Sequence, residues 1–87
     1  LIPDALRRLA DYVQVVALSR DPGRAPDVKR MAELARDDLR AAGLPNARLL
    51  ELPGALPCVA ASWLERPGAP TVLIYGHFDQ QPATASE

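Results

Sequence analysis

Residues 71–75, Thr-Val-Leu-Ile-Tyr, form an apolar run that spans both sides of a strand's two-residue alternation. A strand that is apolar on both faces needs a covering layer above and another below, which is the situation of a central strand in a sheet flanked by helices. The residues that follow are Gly76, His77, Phe78, Asp79, Gln80, Gln81 and Pro82, so the chain's one histidine falls at the C-terminal end of this predicted strand. Open α/β sheets present their ligand-binding groups there. In an extended chain His77 and Asp79 share a face. In such a pair a ring nitrogen can ligate a metal while the carboxylate orients the imidazole and fixes its tautomer. Gly76 leaves room for a bend or a close approach just before them. Two residues of this kind also meet often by chance, and a zinc site takes about three protein ligands. Taken alone, the pair is a weak signal.

The rest of the chain prepares such a sheet. Leu6, Leu9, Ala10, Val13, Val16 and Ala17 recur by threes and fours and predict a first helix from Pro3 or Asp4 to Ala17. A second helix opens at Pro26 and Asp27, lays Val28, Met31, Ala32, Ala35, Leu39 and Ala42 along an inner stripe, and stops at Gly43. Its other face, Lys29, Arg30, Glu33, Arg36, Asp37 and Arg40, reads as a solvated surface. The connection over 19–26 has the proline, glycine and aspartate content of a loop; it reads as a plain linker or the rim of a site, and composition leans to the linker. Three strands are expected over 47–52, 58–65 and 71–76, separated by Pro53-Gly54 and Pro67-Gly68 turns. Connections this short cannot make parallel crossovers, so the first two strands should pair as a hairpin. Trp63 and Tyr75 are expected in core or edge packing. The fold class is therefore α/β, two N-terminal helices followed by three strands.

Size and charge exclude several functions. Eighty-seven residues make one small domain or part of a larger one, and a chain this size buries only roughly 60–65% of its unfolded surface, which leaves a thin core. Ten basic residues against eleven acidic ones, with no one-sign stripe, argue against a nucleic-acid partner. Cys58 is the single cysteine, so no internal disulfide forms and a reducing, cytoplasmic setting is favoured. Within Cys58-Val59-Ala60-Ala61 it reads as a small buried side chain rather than a thiolate ligand or nucleophile. The apolar runs fall far short of the roughly 20 residues of a spanning helix, and Asp4, Arg7, Arg8 and Asp11 in the first turns are unlike a secretion signal. The sequence begins at Leu1 without a methionine, the expectation being a chain processed or cut from something longer.

Beyond these local readings, the segment 71–83, Thr-Val-Leu-Ile-Tyr-Gly-His-Phe-Asp-Gln-Gln-Pro-Ala, resembles the first metal-ligand segment of the zinc aminoacylase/carboxypeptidase-like metallopeptidases, most of all their carnosinase-type and Cys-Gly-type dipeptidases. Ser19-x-Asp21-Pro22, Ala25-Pro26-Asp27-Val28, the helix running to Ala41-Ala42-Gly43-Leu44, and the strand and turn over 49–54 resemble the same branch. The resemblance covers nearly the whole of 1–87, and corresponds to the N-terminal part of that family's catalytic domain, the start of a mixed-sheet zinc-peptidase fold. It implies His77 as a ligand of one metal in a two-metal site and Asp79 as the residue that supports its imidazole. It also implies zinc as cofactor, two ions per complete site, with manganese or cobalt as possible substitutes. The implied substrate is a dipeptide or small peptide, and the family is often homodimeric. The bridging aspartate, the glutamate base and the remaining ligands of that family match nothing in this sequence, so the chain is expected to be inactive alone.

Three departures from the family pattern stand out. Gln80 replaces a usual valine, Val16 replaces a usual proline, and Thr84-Ala85-Ser86-Glu87 does not continue in the family's acidic manner, which suggests a frameshifted, degraded or artificially ended chain. Two other readings compete. One is a non-catalytic interaction or structural module, in which the 71–75 strand pairs with another chain. The other is the start of an α/β-hydrolase, against which the order Gly76-His77 counts, since that fold places His before Gly in its oxyanion loop.

Overall fold

The computed structural model describes residues 2–82. The readings attached to Leu1, to Ala83 and to the tail 84–87 lie outside the described residues. Helix α1 spans Ile2–Gln14, with Asp4 in its first turn where a negative charge suits the helix dipole. It stops three residues before the expected end at Ala17. The β-branched pair Val15-Val16 follows, and the chain turns sharply there, Ala17 N donating to Val15 O and Leu18 N to Val16 O at 2.9 and 3.0 Å. The exit has a tertiary cause: Ala17 is fully buried against Val28 and Met31, and its carbonyl accepts from Gln80 N at 2.8 Å. Burial and a long-range backbone bond together outweigh one more helical turn.

A short 3-10 helix over Pro22–Arg24 leads directly into α2, Ala25–Ala41. The 19–26 segment is therefore partly helical rather than a plain loop. Asp21 nucleates this turn by accepting a bond from Gly23 N at 2.9 Å. Pro26 is tolerated in the first turn of α2 because its missing N–H has no intrahelical acceptor there. Val28, Met31 and Ala32 of the predicted stripe are buried. The helix closes on Gly43 as expected. Gly43 N donates to Arg40 O and Leu44 N to Leu39 O, at 3.1 and 3.0 Å, with Gly43 at φ 106°. That is a Schellman ending, and its left-handed residue is the reason a glycine stands there.

Arg40 then reaches past the helix end to donate to Ala47 O at 3.0 Å, fixing where the sheet begins. Strands β1, Arg48–Leu50, and β2, Cys58–Ala60, pair antiparallel in the register Arg48 with Ala60, Leu49 with Val59 and Leu50 with Cys58. The expected hairpin is present, although each strand is shorter than predicted. At one end the chain turns at Pro53-Gly54, where Ala55 N donates to Leu52 O at 3.1 Å. At the other, Asn46 takes over from the backbone ladder: its amide accepts from Ser62 N at 3.0 Å and donates to Ser62 Oγ at 2.8 Å. Helix α2 packs on this hairpin, where Leu49 and Val59 are half-buried.

The third predicted strand is not formed. Among the described residues the sheet has two strands, and residues 72–75 lie 79–92% exposed with no ladder partner. A run that is apolar on both faces needs pairing on its edges and layers on its faces; the hairpin keeps a free outer edge on each strand, but 71–76 is set against neither. The same shortage leaves Leu6, Leu9 and Val13 of α1 exposed, so the predicted apolar face of that helix is present but uncovered. Trp63 and Tyr75 are exposed rather than packed, and Cys58 is exposed because it sits on the hairpin face turned away from α2. The radius of gyration is 15.1 Å, against about 12 Å for a closed domain of this length. The buried cluster is correspondingly small: Ala17, Val28 and Met31, with Tyr12, Val15 and Phe78 packed against it.

Candidate functional site

Phe78 is what places the motif. Its ring packs on the Ala17–Val28–Met31 cluster, and the residues on either side, His77 and Asp79, are carried to the surface beside the turn that follows α1. Gln80 completes the attachment, pairing with Leu18 as an isolated parallel bridge. Its side chain donates to Tyr12 O at 3.4 Å, one of the carbonyls that the end of α1 leaves without a full helical partner. A polar residue at this position is thus used as a tie to the helix end. Gly76 has no positive φ, and a Cβ there would meet nothing within 4 Å, so the expected close approach does not occur.

His77 and Asp79 meet. His77 Nδ1 lies 3.0 Å from Asp79 Oδ1, and the second carboxylate oxygen, Oδ2, accepts a 2.5 Å hydrogen bond from Ser19 Oγ. These two bonds, Ser19 first and His77 second, hold the Asp79 carboxyl below its usual range, so it is ionised at neutral pH. An ionised carboxylate only accepts hydrogen bonds, so in the neutral ring Nδ1 must carry the proton. The lone pair is then left on Nε2. The His77 side chain is 75% exposed, and Nε2 has no hydrogen-bond partner among the described residues. The pair borders an open pocket of about 710 Å³, whose other wall is Leu18, Ser19, Arg20 and Asp21.

Sequence reasoning read Ser19 as linker and did not join it to the motif. The only hint was that the linker leaves a helix whose end must lie against a strand terminus. A second interaction was equally hidden: Tyr12 donates to Asp38 Oδ2 at 2.5 Å, tying α1 to α2. Burial, and then the Asp38 carboxylate, push the Tyr12 hydroxyl well above the ordinary tyrosine pKa. A separate hollow between Ala25, Lys29, Glu51 and Leu56 carries one exposed ion pair, Lys29 with Glu51 at 3.6 Å, and no cluster of reactive groups.

The donor chemistry at His77 fits one position of a metal site, because a neutral imidazole with its far nitrogen held by a carboxylate is a common ligand arrangement. Among the described residues no three His, Cys, Asp or Glu side chains converge. The fit is therefore to a single corner and not to a full ligand set. No helix among the described residues is long and apolar enough to cross a membrane.

The Cys-Gly metallodipeptidase DUG1 of Candida albicans is 32% identical over 94 residues, a match that takes in 95% of this chain and so includes His77 and Asp79. The chain spans 19% of the length of that relative. The likeness is to part of a metallopeptidase. No protein-family model matches the chain, and no solved structure matches it.

Proposed function

We propose that this chain supplies one corner of a two-metal dipeptidase site, with His77 Nε2 as a metal ligand and Asp79 as the group that fixes its tautomer. The observation that carries the reading is the 3.0 Å contact between His77 Nδ1 and Asp79 Oδ1, which leaves Nε2 turned to solvent within a segment similar to a metallodipeptidase. A bound zinc, manganese or cobalt ion would supply the activation of water and the polarisation of a peptide carbonyl. This chain's own part is to present a neutral imidazole in a fixed orientation and to keep a carboxylate ionised beside it. The substrate class is a dipeptide such as Cys-Gly, and the setting is cytoplasmic. The remaining ligands and the proton-transferring base come from residues other than those described.

The test follows the ring of His77, the only histidine in the chain, while zinc or manganese is added, and assays Cys-Gly hydrolysis in parallel. The expected result is a metal-dependent change at Nε2 with no turnover. A ring indifferent to metal overturns the ligand assignment, and substantial metal-dependent turnover by the chain alone overturns the single-corner reading. The exposed run 72–75 favours a second reading, a non-catalytic module that pairs with another chain along this segment. A discrete, stable oligomer in sedimentation, together with a ring that ignores metal, would select it.

A further inference from the structure

Ser19 and Asp79 are 60 residues apart, and their hydrogen bond is made by two different parts of the fold. Ser19 stands at the turn after α1, next to Leu18, whose bridge with Gln80 holds the turn against the motif. The buried anchor Ala17 lies on one side and the packed Phe78 on the other. Between them Asp79 has one donor on each oxygen, His77 Nδ1 on Oδ1 and Ser19 Oγ on Oδ2.

A carboxylate bonded at one oxygen can still swing about χ2, because that torsion is broad and nearly two-fold. A second bond from a differently anchored segment removes the swing. An O–H donor to an ionised carboxylate makes a charge-assisted bond, about twice as strong as a neutral one. We propose that Ser19 is a positioning residue: by holding Oδ2 it keeps Oδ1 on the His77 ring, which keeps the imidazole in the Nδ1–H tautomer with Nε2 open to a metal. This rests on the reading of His77 as a ligand, but the effect belongs to the metal-free chain and is measured there. The Ser19 hydroxyl is committed to Asp79, and its role here runs through that carboxylate.

The chain's single histidine makes the measurement unambiguous. With the ring labelled in nitrogen-15, long-range proton–nitrogen correlations at pH about 9, above the ordinary histidine range, report which nitrogen bears the proton. The wild-type chain is expected to show a pyrrole-type Nδ1 and a pyridine-type Nε2. Ser19→Ala should lower the ratio of Nδ1–H to Nε2–H by about threefold to tenfold, the consequence of losing one charge-assisted bond to the carboxylate. Ser19→Thr, which keeps the hydroxyl, should restore it. Backbone amide spectra verify that each variant is folded. If Ser19→Ala loses the fold, Ser19→Cys, close in size and a weaker donor, takes its place with the same expected fall.

An unchanged ratio in a folded Ser19→Ala chain overturns the proposal, and so does a wild-type ring already dominated by Nε2–H. A purely structural Ser19 would disturb neighbouring amides without moving the ring. If the ratio falls as expected but added zinc leaves Nε2 of the wild type unmoved, the positioning role stands and the ligand reading fails.

Discussion

Replacing Met31 by alanine should remove about half of the chain's stability. Met31 is the largest fully buried side chain among the described residues, 2% exposed, and it belongs to the cluster on which Tyr12, Val15 and Phe78 rest. Met→Ala changes in cores cost about 2–5 kcal/mol, the spread reflecting how far the surroundings collapse into the space. Here Tyr12, Val15 and Phe78 are only half-buried and can close in, which favours the lower part of that range, about 2–3 kcal/mol. Typical stabilities of about 0.05–0.15 kcal/mol per residue give about 4–13 kcal/mol for a chain of this length, and the open radius of gyration argues for the low end. With a urea slope of about 1 kcal/mol per molar for a small protein, the unfolding midpoint should fall by about 2–3 M. Far-UV circular dichroism in urea measures it. Met31→Leu, which nearly conserves volume, should cost less than about 1.5 kcal/mol. A midpoint loss below about 0.5 M for Met31→Ala would refute the reasoning, because it would show that this cluster is not what holds α2, the turn after α1 and the motif together.

Two further substitutions test the rest of the frame. The raised Tyr12 pKa means that the folded state favours the protonated phenol, so its contribution is complete below the unfolded value of about 10 and is lost as pH rises toward the folded one. Tyr12→Phe should be less stable by about 1 kcal/mol at neutral pH, the half-exposed setting holding the value down, and urea midpoints should show the gap narrowing above pH about 10; a gap that widens there would sink the assignment. Gly43→Ala places a side chain at φ 106° where a Cβ meets nothing within 4 Å, so its cost is backbone strain alone, about 1–2 kcal/mol. The same urea titration checks it, and an unchanged midpoint would mean that the Schellman ending contributes nothing.

Local features were the legible ones. Helix α2 was legible in its first half, where Val28, Met31 and Ala32 of the stripe find partners within the chain, and at its stop, a glycine that accepts a left-handed turn; Ala42, expected on the same stripe, is exposed. The hairpin was legible for the same reason, since short proline-glycine connections leave β1 and β2 no other pairing. The run 71–75 carries as clear a strand pattern as either, yet strand formation needs a neighbour that pattern alone cannot supply. Exposure of Cys58 and Trp63 follows from the same missing cover. At the site, His77 and Asp79 were legible as a pair because two residues of extended chain separate them. Ser19 was not, because nothing in a serine inside a turn says which carboxylate it will meet 60 residues later.

That separation also has a kinetic side. The contact between Ser19 and Asp79, and the bridge from Leu18 to Gln80 beside it, close a loop that contains both α2 and the hairpin. Closing so long a loop costs chain entropy that only the structure already formed inside it can offset. The hairpin depends on near neighbours and can form first, whereas the buried stripe of α2 also rests on Ala17 and Phe78. The pocket beside His77 therefore depends on contacts distant in sequence, and its ring geometry reports on whether the two ends of that loop have met.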